Sequence, residues 1–270
     1  MNIKPSNFEL VLGIAHYKPE IGVNICEYPP CLATQEGEVG MLPLCLTLTN
    51  KPSPVFNDHM WTIGSRYNLD DSRTAFGTRH LIPYCLILTS DNKLVVYRRK
   101  GNEDRLNSKW SAGVGGHIGL ESIIKRHKPN GYTTIAIRET VFNALRKELY
   151  EEVEVRSDQN KWTPLPVFGD SFFKYNDLYL LGEINLNNTE VDRLHTGIVF
   201  LLRTHWSSRD IRITDGAEET DFIALSSDKE SAYIRADRPM ELWSEMLLAD
   251  MNIRPYLNHC LYRGQNEPTR

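Results

Sequence analysis

Between Thr134 and Val153 the apolar residues Val141, Phe142, Leu145, Leu149 and Val153 fall on one side of a 3.6-residue repeat. The same steps of three and four gather Glu148, Glu151 and Glu152 away from that stripe. The spacing predicts one long amphipathic helix, apolar towards a core and strongly acidic on its other side. Such a helix needs a broad apolar surface to cover, and the flanking segments supply one.

Leu81 to Thr89 is an apolar, β-branched run, Ser90-Asp91-Asn92 is a polar turn, and Lys93 to Arg99 resumes with Leu94, Val95, Val96 and Tyr97. That pattern predicts a hairpin. Trp110 to Val114 reads as a short strand ending in Gly115-Gly116, and further strands are expected at Leu178 to Ile184, Gly197 to Arg203 and Phe222 to Leu225. A last amphipathic helix is expected over Met240 to Met251, with Leu242, Trp243, Met246 and Leu247 facing inward. Strands around one acidic helix, with a second helix at the end, predict an α/β sandwich. Residues 1–75 carry short apolar runs (Phe8 to Ile14, Met41 to Leu48) broken by proline and glycine, with linker-like stretches at Asn50 to Pro54 and Asn68 to Thr78. The expected division is a strand-rich N-terminal extension over 1–75 and a main domain over 76–270. No internal repeat or low-complexity tract is present.

Composition narrows the function classes. A chain of 270 residues with 41% hydrophobic and 24% charged residues can bury a sizeable core. A net charge of -4 argues against non-specific nucleic-acid binding, which needs clustered positive charge. The five cysteines (Cys26, Cys31, Cys45, Cys85, Cys260) are odd in number and without a following histidine pair, so reduced structural thiols are expected. Met1 to Leu12 has no basic region leading into an apolar run, and no apolar stretch approaches the roughly 20 residues of a membrane span. A cytoplasmic protein is expected, with no membrane partner.

The three acids carry the chemistry, or else they are a solvated face balanced by Arg146, Lys147 and Arg156. Like charges three or four residues apart on an exposed helix cost about 0.2–0.5 kcal/mol per pair. A hard divalent cation removes that cost, and oxygen ligands suit magnesium. Gly115-Gly116 leaves bare backbone able to approach a metal or phosphate closely. Glu139 stands nine residues before Glu148.

Glu139, seven residues, then Lys147-Glu148-Leu149-Tyr150-Glu151-Glu152-Val153-Glu154-Val155 resembles the Nudix box. That motif runs glycine, five residues, glutamate, seven residues, then Arg-Glu-hydrophobic-x-Glu-Glu-x-Gly-hydrophobic. The chain departs from it at Lys147, at Glu154, and in an insertion that leaves 22 residues between Gly116 and Glu139 where the motif has five. Arg79 to Tyr84, Trp110 to Ile118, His195 to Phe200 and Glu241 to Ser244 are similar to a Nudix subgroup of phosphoesterases known by prediction alone, over about residues 76 to 255.

The resemblance implies a Nudix-type α/β/α sandwich with a mixed sheet, and Mg2+ or Mn2+ as cofactor. It implies hydrolysis of a diphosphate bond in a nucleoside-diphosphate-linked or similar small phosphorylated substrate; the alternative is a Nudix-fold sensor that binds a nucleotide without cleaving it. Glu139, Lys147, Glu148, Glu151 and Glu152 become the catalytic set, with Lys147 holding Glu139 or a neighbouring acid. Gly116, Glu148, Glu151, Glu152 and Glu219 become the metal set, Glu218 being the other acid of a turn that reads equally as solvated. Arg98 and Arg99 end a strand and meet phosphate, or are simple strand-end charges. Lys125 and Arg126 belong to an insertion, His117 to Arg138, expected as a cover over substrate rather than part of the core. Trp110 stacks on a base or sits in the core, and His117 reads as an exposed loop residue rather than a base. Self-association as a homodimer is left open.

Overall fold

The computed structural model describes residues 10–14, 22–25, 31–32, 61–65, 79–100, 106–127, 129, 131, 133–168, 176–225 and 238–249. The expectations for Met41 to Leu48, the two linkers, Lys128, Met251 and Cys26, Cys45 and Cys260 lie outside them. In chain order the strands are β1 (Leu10–Ile14), β2 (Gly22–Ile25), β3 (Cys31–Leu32), β4 (Trp61–Ser65), β5 (Arg79–Leu88), β6 (Lys93–Arg99), β7 (Trp110–Ser111) and β8 (Gly113–Gly115). There follow β9 (Lys125–His127), β10 (Thr133–Ile135), β11 (Val153–Arg156), β12 (Trp162–Pro164), β13 (Asp177–Asn185), β14 (His195–Arg203), β15 (Ile211–Ile213) and β16 (Ala217–Ala224). The helices are α1 (Ile137–Glu152), α2 (Glu190–Arg193) and α3 (Leu242–Ala249).

An eleven-stranded sheet runs β16-β6-β5-β14-β13-β2, with β1, β3, β4, β7 and β8 attached at its sides. It is mixed: β5 and β14 pair in parallel from His80↔His195 to Leu88↔Arg203, whereas β13 and β14 are antiparallel. Strands β1 and β2, from the first 75 residues, hydrogen-bond to β5 and β13 of this same sheet.

Alternation along the central strands sorts side chains onto two cores, because successive residues of a strand point to opposite faces. On β5, Leu81, Cys85 and Ile87 join Val141, Ala144, Leu145 and Leu149 of α1. Tyr84, Leu86 and Leu88 join Leu247 and Leu248 of α3 on the other face. On β14, Ile198, Phe200 and Leu202 take the first side, and Val199 and Leu201 the second. The result is an α/β sandwich with helices on both faces of a mixed sheet. Burying each of Val141, Leu145 and Leu149 stabilises the fold by about 1.5–3 kcal/mol. Cys85 is a free, buried thiol.

The predicted hairpin forms: Thr89 donates to the Lys93 carbonyl at 2.9 Å, and Asn92 takes φ +59°, a conformation asparagine tolerates. In α3 the inward set differs from expectation. Leu247 and Leu248 are buried while Met246 is 37% exposed, because the helix starts at Leu242 and its buried face is rotated towards Leu248. Among the described residues no helix is long and apolar enough to cross a membrane.

Candidate active site

The segment after Gly116 runs back along α1. Ile118 is fully buried, the Asn143 amide donates to the Ser122 carbonyl at 3.2 Å, and the Ile124 N–H donates to Thr140 Oγ1 at 2.9 Å. Ala136 then donates its N–H to the Ile124 carbonyl at 2.8 Å, closing the excursion just before α1 begins. This corrects the expectation that His117 to Arg138 stands wholly outside the core: Ile118 is a core residue and Ile123 and Ile135 pack against the core. On the two-stranded hairpin β9-β10, Lys125, Arg126 and His127 are exposed. The insertion therefore loops out and returns, and Gly116 keeps its place beside α1. A Cβ on Gly116 would lie 2.4 Å from Glu148 Oε2.

One helical turn beyond Glu148 is Glu152. Its carboxyl is pushed up to about 8, by burial first and then by the charge of Glu148; Arg99 opposes the shift, and Asp215 and Glu151 add to it. The acids thus form one mutually repelling group, with Arg99 as the neighbouring cation. Burial works against the charge of Arg99, but Tyr97, Glu241, Tyr84 and Glu152 outweigh it and hold the guanidinium more firmly protonated than usual. The Thr214 N–H donates to the Glu152 carbonyl at 2.8 Å and fixes the turn that carries Asp215. The loop acid whose charge acts on the Glu152 carboxyl is Asp215, rather than the Glu218 or Glu219 expected there.

Glu218 and Glu219 both pair with Arg98. Arg98 Nε lies 3.2 Å from Glu218 and Arg98 Nη2 lies 3.5 Å from Glu219, since Glu219 and Arg98 are register partners on β16 and β6. Lys147 Nζ donates to Glu121 Oε1 at 2.5 Å and lies 3.9 Å from Glu151. It does not hold Glu139: that acid is eight residues back along the helix, about 12 Å along its axis. Glu139 is paired with Arg126 of the β9-β10 hairpin. Arg146 donates to the Val167 carbonyl at 2.7 Å and lies over the Phe168 ring, and Arg156 lies over Trp162.

Two single residues settle differently from one another. Trp110 is a core residue, 9% exposed, with the Arg238 guanidinium 4.2 Å from its ring centre. His117 is not an exposed loop residue: it is half-buried, its Nε2 3.3 Å from His195 Nε2. Parallel pairing of β5 and β14 sets His80 beside His195, a neighbourhood that residues 115 positions apart do not advertise in sequence.

Neither a family model nor a curated protein sequence matches the chain significantly. Solved structures do. Tm1382, a candidate Nudix hydrolase, aligns over 89% of this chain and 97% of its own, with 21% identity and a TM-score of 0.50. This chain has the Nudix fold. A bifunctional NMN adenylyltransferase/ADP ribose pyrophosphatase from Francisella tularensis, solved with AMP and a manganese ion, aligns over 70% of this chain and 44% of that one, with 15% identity and a TM-score of 0.40. A Nudix hydrolase from Alicyclobacillus acidocaldarius aligns over 63% and 89%, with 12% identity and a TM-score of 0.39.

On the Nudix fold the departures from the box have local causes. Helix α1 passes straight into β11 at Val153, with φ -113°, so no left-handed residue is needed to end it. Glu154 then sits opposite Arg212 on β15, and its Oε2 accepts from both Nε at 2.9 Å and Nη2 at 2.6 Å, a charge-assisted pair a glycine cannot make. Lys147 in place of the Nudix arginine finds its partner in Glu121, within the inserted segment itself.

Proposed function

We propose that the protein is a divalent-metal-dependent hydrolase that cleaves a diphosphate bond in a nucleoside-diphosphate-linked or similar small phosphorylated substrate. The observation that supports this best is that the charges of Glu148 and Asp215 both act on the Glu152 carboxyl, while Glu148 lies against the bare backbone of Gly116. A carboxyl pushed up to about 8 by burial and then by neighbouring acids is a group that a cation would ionise. Hard oxygen donors of this kind fit Mg2+ or Mn2+. Glu148, Glu152 and the Gly116 carbonyl would hold the ion, with Asp215 as the loop acid in the place first given to Glu219.

When bound, the ion supplies positive charge against diphosphate oxygens and acidifies water. The chain's own residues do the rest. Glu151, exposed on the same helix, accepts the proton of the attacking water. Arg99, kept charged among the acids, meets phosphate oxygens, and Lys125 on the β9-β10 hairpin offers a second cation to the substrate. Glu139 and Lys147 act at a remove, tying α1 to the inserted segment through Arg126 and Glu121.

A screen of nucleoside triphosphates, dinucleotides, nucleotide sugars and coenzyme diphosphates with Mg2+ or Mn2+ tests the proposal. Turnover that vanishes in excess chelator and in Glu152→Gln is expected. Turnover indifferent to chelator overturns it, and nucleotide binding without any turnover favours a sensor instead.

A further inference from the structure

We infer that His80, His117 and His195 form a second cation site, for a borderline transition metal of the zinc class, on the opposite face of the sheet from the acids. One ring nitrogen from each of the three lies within 4.8 Å of the other two. Ring centroids are 5.1 Å apart for His80 and His117, 5.0 Å for His80 and His195, and 5.3 Å for His117 and His195. The rings stand at 72°, 67° and 74° to each other, edge to face around a common centre.

The scaffold holds this group on fixed backbone. His80 and His195 are direct partners on the parallel strands β5 and β14, so their side chains leave the sheet on the same face, side by side. Counting in twos along each strand places them with Tyr84 and Val199, on the face that α3 covers. The His80 N–H donates to the Leu194 carbonyl at 2.6 Å, and Arg79 donates to the His195 carbonyl at 2.7 Å, which locks the two strand starts together. His117 arrives two residues past the end of β8, where Gly116 touches Glu148 on the α1 face and the next side chain turns to the other face.

Ligand chemistry selects the ion. Neutral imidazoles suit zinc, cobalt, nickel and copper, whereas magnesium prefers carboxylate and water oxygen. Four-coordinate zinc with Zn–N bonds of about 2.0–2.1 Å sets its ligand nitrogens roughly 3.3 Å apart. His117 Nε2 and His195 Nε2 already stand at that separation, 3.3 Å. Three protein ligands leave a fourth position for water. A metal there clips the loop carrying Gly116 to the starts of β5 and β14, linking the histidine site to the acid site through one peptide bond.

The test uses the full chain without a histidine tag. Metal-depleted protein is titrated with Zn2+ and Co2+, and stoichiometry is read by elemental analysis and by the visible ligand-field absorption of four-coordinate cobalt. In excess Mg2+, which competes for the acids, one four-coordinate cobalt per chain is expected in wild type. In His117→Ala and His195→Ala, whose rings are half-buried, the affinity should fall by more than the ten- to hundredfold of an outer-sphere change. Glu148→Gln should bind as wild type does. Circular dichroism establishes that each variant is folded; His80 is left intact because it is fully buried. Failure of wild type to bind one ion, equal binding by the two histidine variants, or loss of the ion in Glu148→Gln overturns the site. None of these readouts depends on hydrolase activity.

Discussion

Gly116 lies against the Glu148 carboxylate so closely that a Cβ at position 116 would meet all three of its terminal atoms, at 2.4, 2.6 and 2.7 Å. The Gly116 backbone is not in the left-handed region, so alanine is permitted there conformationally. What it displaces is the far end of Glu148. Gly116→Ala should therefore change the stability of the metal-free protein by no more than about 1 kcal/mol. It should markedly reduce the rise in melting temperature that Mg2+ gives wild type. Identical magnesium responses in the two proteins would separate Gly116 from the metal.

Glu152→Gln should lower turnover by about a hundredfold or more, the scale on which a positioned acid–base or charge-bearing group contributes. The fold should survive, since glutamine matches the neutral carboxyl that the metal-free protein already favours. A variant with wild-type turnover would remove Glu152 from the reaction.

The same carboxyl sets a pH dependence. In metal-free protein Glu152 holds its proton up to about 8, while the unfolded chain releases it near its ordinary 4.5. Between those values the native state binds more protons than the unfolded state, so this group's contribution to stability declines as pH rises. In chelator, the melting temperature of wild type should fall more steeply across that window than that of Glu152→Gln. Parallel profiles would show that burial and Glu148 do not load this site as described.

How much of this was open to reading from sequence depends on distance along the chain. The face of α1 and the β5-β6 hairpin follow from local periods of 3.6 and 2, and the structure follows them closely. Glu154 in place of the box glycine is understood only when β15 brings Arg212 alongside, 58 residues away. Asp215 was hidden for the same reason: its approach to Glu152 depends on the Thr214 backbone bond, not on spacing. Arg98 and Glu219 each suggested a ligand-facing role singly, and strand register pairs them with each other. Met246 was misassigned because one residue of helix rotation decides which side of α3 is buried.

A buried network under α3 was also missed. Tyr84 donates its hydroxyl to Glu241 Oε1 at 2.6 Å, and Ser111 and Ser244 donate to the same oxygen at 3.2 and 2.8 Å. Burial, with Glu241 next, pushes the Tyr84 hydroxyl well above its usual range, so it remains a donor at any working pH. Tyr84→Phe strips one donor from a buried carboxylate and should cost about 1–3 kcal/mol, read from denaturant unfolding. A loss below about 0.5 kcal/mol would mean that the serines alone satisfy Glu241.

The β9-β10 hairpin offers two cations with different tasks, and kinetics can separate them. Arg126 is paired with Glu139 at the first turn of α1, whereas Lys125, its neighbour on β9, is exposed. An ion pair with one well-exposed partner contributes only about 0.2–1 kcal/mol, so neither substitution should unfold the protein. If Lys125 meets the substrate, Lys125→Ala raises KM and leaves kcat and the melting temperature near wild type. If Arg126 is a tether, Arg126→Ala, Glu139→Gln and the double variant shift stability non-additively, the double variant losing less than the two single losses combined. A strictly additive cycle would dissolve the tether. Unchanged KM in Lys125→Ala, on the best substrate found, would remove the hairpin from substrate binding.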